Sequence, residues 1–294
     1  MRQRLQRTIQ RPVETSGIGF LTGADVKIRF LPAEPNHGIA FQRVDRAETA
    51  PIPARLEYTL PQQRRTTIAH RGIAVDMIEH VMAALAGLQV DNCLVQLDAP
   101  EPPGFDGSCH PVVDCLLNAG LLEQDKLRPM FVIENDVRIS FDNKDSEIVA
   151  TPSARKSLTI TYHLDYGLRS PISPQNLTTE ITPETFVNEL STSRTFVLES
   201  EVESLRAQGY GCRTTAKDLL VFGRNGVIDN QLRTADECVR HKILDCVGDF
   251  ALIGHDIVGH FNAYRSGHRH NLEIIRRLQL IRHGSCVRPQ QDAA

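Results

Sequence analysis

The residues best able to do chemistry in this chain sit in one segment, "ECVRHKILDCVGDF" at 237–250, where His241, Asp245 and Asp249 recur every four residues among apolar neighbours. At about 100° per residue, positions four apart lie one turn apart on nearly the same side of a helix. His241 and Asp245 can therefore converge on one point. A neutral imidazole nitrogen and a carboxylate oxygen are both zinc ligands at about 2.0–2.2 Å, and a catalytic zinc takes three protein ligands with one position open for water. Read alone, the pair also fits a solvated His–Asp contact on a helix face. Ile243, Leu244, Val247 and Phe250 argue for burial, and buried charges need partners.

A third ligand has to come from elsewhere. In "DMIEHVMAAL", His80 follows Glu79 in a helical pattern. Adjacent helix positions diverge, so one residue can hold a metal while its neighbour reaches toward the water beside it. The same histidine also fits a core position bonded to a backbone carbonyl, with Glu79 a surface carboxylate. A further cluster, "RSGHRHN", follows a strand-like run and a glycine, which predicts an exposed loop presenting His268 and His270. Either could shuttle a proton near neutrality. Two surface histidines beside Arg265 and Arg269 are the simpler alternative. A carboxylate raises the pKa of a nearby imidazole, so Asp249 is a candidate partner for one of them.

The elements that must position these groups follow from periodicity. Short β-branched or alternating runs ("DVKIRFL", "GIAFQRV") punctuated by Pro and Gly predict antiparallel strands through about residue 71. Near Asp76, the expected N-cap, the period becomes helical through Ile78, Val81 and Leu85, with Gly87 as the expected stop. A strand "NCLVQL", a turn "APEPPGFDGS" and a helix "HPVVDCLLNAG" ending at Gly120 come next. The polar "EQDKLRP" before a new strand-like run puts a domain boundary near residue 127, giving domains 1–127 and 128–294. In the second half, strands "MFVIENDVRISF" and "SLTITYHL" precede helices at about 184–191 and 199–208, with a strand "TSRTFVL" between them. A long helix at 235–252, a strand "IVGHFNAYRS" and a final helix at 271–282 complete the pattern. Each half reads as a small sheet backed by helices, so the expected class is α+β with two similar stacked domains.

Composition excludes several functions. The 294 residues carry 33 basic and 36 acidic side chains, a formal net charge of −3 without a basic stripe, which argues against nucleic acid as a partner. No run approaches the roughly 20 apolar residues of a membrane-spanning helix, and the arginine-bearing start lacks the apolar run of a secretory signal. Seven cysteines (93, 109, 115, 212, 238, 246 and 286) show no CxxC spacing, which indicates reduced and mostly buried thiols. The expectation is a cytoplasmic monomer.

Taken together, "IEHVMAALAGLQVDN", "DGS", "SRTF", "RHKILDCVGD" and "SGHRHN", with the early "GIGFLTGADVKIRFLPA" and "GIAFQRVD", resemble the zinc-dependent UDP-3-O-acyl-N-acetylglucosamine deacetylases of lipid A synthesis. The resemblance spans nearly the whole chain. It implies two domains of similar βααβ topology, a site in the cleft between them and a short insert in each. It also implies His80, His241 and Asp245 as zinc ligands, with Fe2+ or Co2+ as other metals such a site accepts. Glu79 would be the general base and His268 the second catalytic group, supported by Asp249. Thr195 would hydrogen-bond the developing oxyanion, and Phe196 and Lys242 would contact substrate. Asp106-Gly107-Ser108 reads as a structural turn. The chain departs from the family pattern at Val197, at Arg269 and His270, and in "GYGCRTTAKDLLVF". Alternatives are a relative that deacetylates another N-acetylated sugar or small amide, and a non-catalytic module that holds a metal.

Overall fold

The structure, a computed structural model, describes residues 3–47, 49–141 and 145–285; Cys286 lies outside them. The first half opens with β1 (Leu5–Ile9), β2 (Val13–Ile18), β3 (Asp25–Pro32), β4 (Ile39–Arg43) and β5 (Ile52–Pro53). A small antiparallel insert follows, made of β6 (Thr59–Leu60), β7 (Thr67–His70) and β8 (Ile73–Val75). Helix α1 (Glu79–Gly87), β9 (Cys93–Leu97), α2 (His110–Ala119) and β10 (Leu121–Leu127) complete it. The polar stretch at 123–127 is thus mostly strand, and it pairs back onto β1.

In the second half come β11 (Met130–Val132), β12 (Val137–Phe141), β13 (Ser146–Thr151), β14 (Leu158–Leu164) and β15 (Gln175–Glu180). A short helix α3 (Pro183–Thr185) runs into a π-helical turn at Phe186–Leu190. The insert here is β16 (Phe196–Leu198), α4 (Glu199–Ala207), β17 (Leu220–Gly223) and β18 (Gly226–Val227). Only three residues of the expected strand at 192–198 are extended; the rest is held in a loop by bonds to side chains described below. Helix α5 (Glu237–Phe250), β19 (Asp256–Tyr264) and α6 (His268–Ser285) close the chain.

The two halves share one topology. The first sheet has the order β2-β3-β9-β4-β5 and the second β12-β13-β19-β14-β15; in each a parallel pair, β4·β9 or β14·β19, lies among antiparallel neighbours, and the second sheet adds β11, which also pairs parallel with β19. In both, a helix precedes the central strand and another follows it. The alternation in "DVKIRFLP" explains one face of the first sheet, since Val26, Ile28 and Phe30 are fully buried while Asp25, Lys27 and Arg29 are exposed. The fold is α+β, as the element pattern predicts.

Helix α5 lies at the centre of the molecule. Twelve of its fourteen residues are buried, because it packs against α1, β14 and α6 together. Phe250 stacks on Phe261 of β19 with ring centroids 4.3 Å apart, both side chains fully buried. Truncating either would cost about 3–5 kcal/mol.

Local expectations fare unevenly. Gly120 ends α2 with φ at +76°, as a stop residue should. Asp76 does not cap α1: Ile78 occupies the cap position, while Asp76 accepts from Thr67 Oγ1 at 2.6 Å and Arg65 Nε at 2.9 Å. Gly87 remains inside the helix, and Gln89 takes the left-handed conformation at φ +57°. The reason for glycine at 87 is packing, since a Cβ there would stand 2.2 Å from the Phe186 ring. Cys93, Cys109, Cys115, Cys238 and Cys246 are buried free thiols and Cys212 is an exposed one.

Candidate metal centre

Helices α1 and α5 meet where the chemistry is. His80 projects from the first turn of α1, and His241 and Asp245 stand one turn apart on α5; their ligand atoms all lie within 4.8 Å of one another. His241 Nε2 is 3.4 Å and His80 Nε2 3.7 Å from Asp245 Oδ1. The two imidazoles meet edge to face with centroids 5.0 Å apart. This is a convergence of residues 160 or more positions apart in sequence, made possible by the α1–α5 contact.

Protonation follows from the surroundings. His241 Nδ1 donates to the Ser193 carbonyl at 3.0 Å, which leaves Nε2 as a lone-pair atom facing Asp245. Burial, reinforced by His80 and Lys242 and only partly opposed by Asp245, pulls the His241 imidazole down to about 3. It stays neutral. For Asp245 burial alone would raise the pKa, but Lys242 and the surrounding imidazoles outweigh it and hold the carboxyl well below its ordinary range. Lys242 Nζ donates to Oδ2 at 3.0 Å. The other oxygen, Oδ1, is buried with no hydrogen-bond partner among the described residues. An ionised buried oxygen without a donor, facing imidazole nitrogens, is unfavourable unless a cation joins them. The donor set, two imidazoles and one carboxylate, is that of an open divalent-metal site.

Beside these groups lies a proton-handling pair. Glu79 is 2 % exposed; its Oε2 accepts from the Thr66 backbone N–H at 3.0 Å, and its Oε1 is 3.9 Å from His268 Nε2. Burial raises the Glu79 carboxyl above its ordinary value, partly offset by His268 and His80. His268 Nδ1 donates to Asp249 Oδ2 at 2.8 Å. Asp249 is itself held by Thr66 Oγ1 at 2.6 Å and Asn271 Nδ2 at 2.9 Å. Burial lowers the His268 pKa, but Asp249 and Glu79 more than reverse it and carry it up to about 10. The expected exposed loop is therefore corrected: His268 is buried in the first turn of α6, where the Asp249 bond replaces the solvent it loses.

The remaining predicted residues fall at varying distance. Phe196 lies 6.2 Å, centroid to centroid, from His241, and Lys242 Nζ sits 5.4 Å from the Phe196 ring centre. Thr195 is placed by its backbone, donating to Gly107 O at 2.8 Å and accepting from Leu220 N at 3.0 Å; none of these bonds reaches the cluster. Asp106-Gly107-Ser108 is the expected turn, with Asp106 Oδ1 accepting from Ser108 N and Oγ and Gly107 at φ +87°. His270 and Arg269 make their described contacts with Ser146 and Phe141. His270 is buried, bonded to Ser146 Oγ and edge-on to Phe141, while exposed Arg269 stacks over the same ring.

Sequence reasoning missed Thr66, Ser193, Asn271 and the Arg194–Glu237 pair. Thr66 holds both Glu79 and Asp249, but it stands 13 and 183 residues from them, so no spacing announces it. Arg194 and Glu237 form a buried bidentate pair at 2.7 and 3.1 Å, and Glu237 Oε1 also accepts from the Arg194 backbone N–H. This ties the loop that carries Ser193 and Thr195 to the first turn of α5. A glutamate opening a largely apolar helix was the available signal.

The sequence has close relatives along nearly its full length. The family model described as LpxC, UDP-3-O-acyl N-acetylglycosamine deacetylase, matches residues 6–279. A protein of Myxococcus xanthus named UDP-3-O-acyl-N-acetylglucosamine deacetylase is 35% identical over 274 residues, covering 93% of this chain and 86% of the relative. Proteins of the same name from Syntrophotalea carbinolica and Acinetobacter baumannii are each 36% identical over 275 residues, covering 93% of this chain and 87% and 91% of theirs. With the family model spanning all the residues that build the metal cluster and these relatives matched over 93% of the chain, the chain belongs to the UDP-3-O-acyl N-acetylglycosamine deacetylase family.

Proposed function

We propose that this protein hydrolyses the N-acetyl group of a UDP-3-O-acyl-N-acetylglucosamine, releasing acetate and the free amine, in lipid A biosynthesis. The observation that carries the reading is the orphaned Asp245 Oδ1 facing two imidazoles, with the buried Glu79 carboxylate alongside. His80, His241 and Asp245 would hold the metal, zinc in this reading, with iron or cobalt as other occupants of such donors. A bound divalent cation supplies Lewis acidity to the acetamide carbonyl and to water.

The protein's own groups would do the rest. Glu79 takes the proton of the attacking water, and its burial makes it a better base near neutrality than an exposed carboxylate. Its Oε2 is fixed by Thr66, so Oε1 is the oxygen that receives the proton. His268, protonated and turned by Asp249 so that Nε2–H faces Glu79, balances the negative charge that develops on the carbonyl oxygen. Thr195 donates to the same oxygen. As the C–N bond breaks, the proton collected by Glu79, or that on His268, passes to the departing amine. Phe196 and Lys242 line the approach, the ring offering an apolar face and the ammonium a charge for the nucleotide sugar.

Among the described residues no helix is long and apolar enough to cross a membrane. A cytoplasmic place of action is part of the proposal. The test is acetate release from the 3-O-acylated UDP-sugar compared with its unacylated counterpart. The reading expects turnover of the acylated compound; acetate released only from the unacylated sugar would assign the site to another N-acetylated substrate.

A further inference from the structure

Between the two halves lies a hollow of about 410 Å3, lined by the C-terminal part of α1, the end of α5 and the start of β14. None of the metal-cluster residues lines it. Its volume falls within the range of about 300–1,000 Å3 typical of small-molecule sites, which favour domain interfaces. Ile39, Ala86, Met130, Leu158 and Ile181, all half-buried, give it an apolar wall, with the buried Leu85 and Phe250 behind them.

The charges around it do not balance. Arg4 bonds both Asp91, at 2.6 and 2.8 Å, and Asp256, at 2.7 Å, while Arg128 Nε reaches the same two carboxylates at 3.0 and 3.2 Å. Two cations and two anions thus satisfy one another and bolt the halves together. Arg55 and Lys156, also in the lining, have no side-chain hydrogen bond or ion pair among the described residues. His255, a further lining residue, has its pKa lowered by burial first and then by Arg282, Arg128 and Arg55, which fits a positive local field. An apolar wall with two unpaired cations beside it is complementary to one kind of small molecule.

We infer that this hollow is a binding site, separate from the metal cluster, for an amphiphilic anion: an apolar body seated on Ala86, Leu158 and Ile181, with its carboxylate or phosphate paired to Arg55 and Lys156. Neutral ligands would leave both cations unmatched, and cationic ones would be repelled.

Equilibrium dialysis of the full chain with radiolabelled dodecanoate, dodecyl phosphate or dodecyltrimethylammonium, each below its micellar concentration, tests this. Both anions should bind saturably, the cation not at all; whichever anion binds more tightly identifies the head group. In Arg55→Glu and Lys156→Glu, binding should weaken roughly tenfold or more each, the size of a lost charge-assisted hydrogen bond. Ala86→Phe, which fills the hollow from α1, should abolish the same binding. Thermal melting of each variant shows whether it folds, and the two surface charge variants remain informative if Ala86→Phe does not. Absence of saturable anion binding, equal binding of the cation, or binding unchanged in folded variants because the anion sits elsewhere on the protein would each overturn the inference.

Discussion

Gly248 of α5 lies directly against the carbonyl oxygen of Glu79 on α1: a Cβ on Gly248 would stand 2.1 Å from it and 3.1 Å from Ala83 N. No flexible side chain is there to yield, because the neighbour is helix backbone. This one contact sets how closely the halves approach, and thereby whether His80 reaches the His241/Asp245 pair. Gly248→Ala should force the helices apart, costing about 1–3 kcal/mol as overpacking does, and should weaken metal binding although no ligand is altered. Denaturant melts and competitive metal titration check both effects; wild-type metal affinity in a destabilised variant would show that the spacing of α1 and α5 does not set the cluster.

The Arg194–Glu237 pair is a second device of this kind, acting on the loop instead of the helices. Both side chains are almost fully buried, so removing one partner strands the other's charge, at about 3–5 kcal/mol. Glu237→Leu and Arg194→Met should each show that loss in urea unfolding, and Arg194→Met/Glu237→Leu together should lose less than the two single changes summed. Strict additivity would mean that the pair is not coupled.

The class of the fold, the strands' inward faces, and the helix carrying His241, Asp245 and Asp249 were all legible from period and residue type. The cluster itself was not legible from spacing. His80 is joined to His241 by the α1–α5 contact alone, so only resemblance to a family connected them before the structure did. The rhythm of strands and helices showed two similar halves, but their shared strand order was not legible, because topology is carried by apolar pattern, which many sequences satisfy. Gly87 shows why single residues mislead: it reads as a helix stop, yet it is there because Phe186 lies where a Cβ would be, as the Glu79 carbonyl does at Gly248. His268 was misplaced on an exposed loop, since its partner Asp249 is on another helix and burial depends on that partner.

Asp106 ties the turn of the first half to Arg233 of the second at 2.6 Å. Burial raises its pKa, but the hydrogen bonds from Arg233 and Ser108 more than offset this, so the folded value lies below the ordinary 3.8. A carboxyl depressed on folding contributes stability above its unfolded pKa and loses it as pH falls through the lower folded value. Asp106→Asn should therefore be less stable than wild type at pH 7, and the difference should shrink below pH 3.8. Chemical denaturation at several pH values measures it; a gap that stays constant down to pH 2 would remove the ion pair from the account.

The central claim is that His80, His241 and Asp245 hold one divalent cation while Glu79, next to His80, holds none. Elemental analysis of the wild-type chain with His80→Ala, Asp245→Ala and Glu79→Gln, purified side by side, tests it directly. The account predicts one bound metal per chain in wild type and in Glu79→Gln, and its loss in the other two. Undiminished metal in His80→Ala, or equal loss in Glu79→Gln, would contradict it.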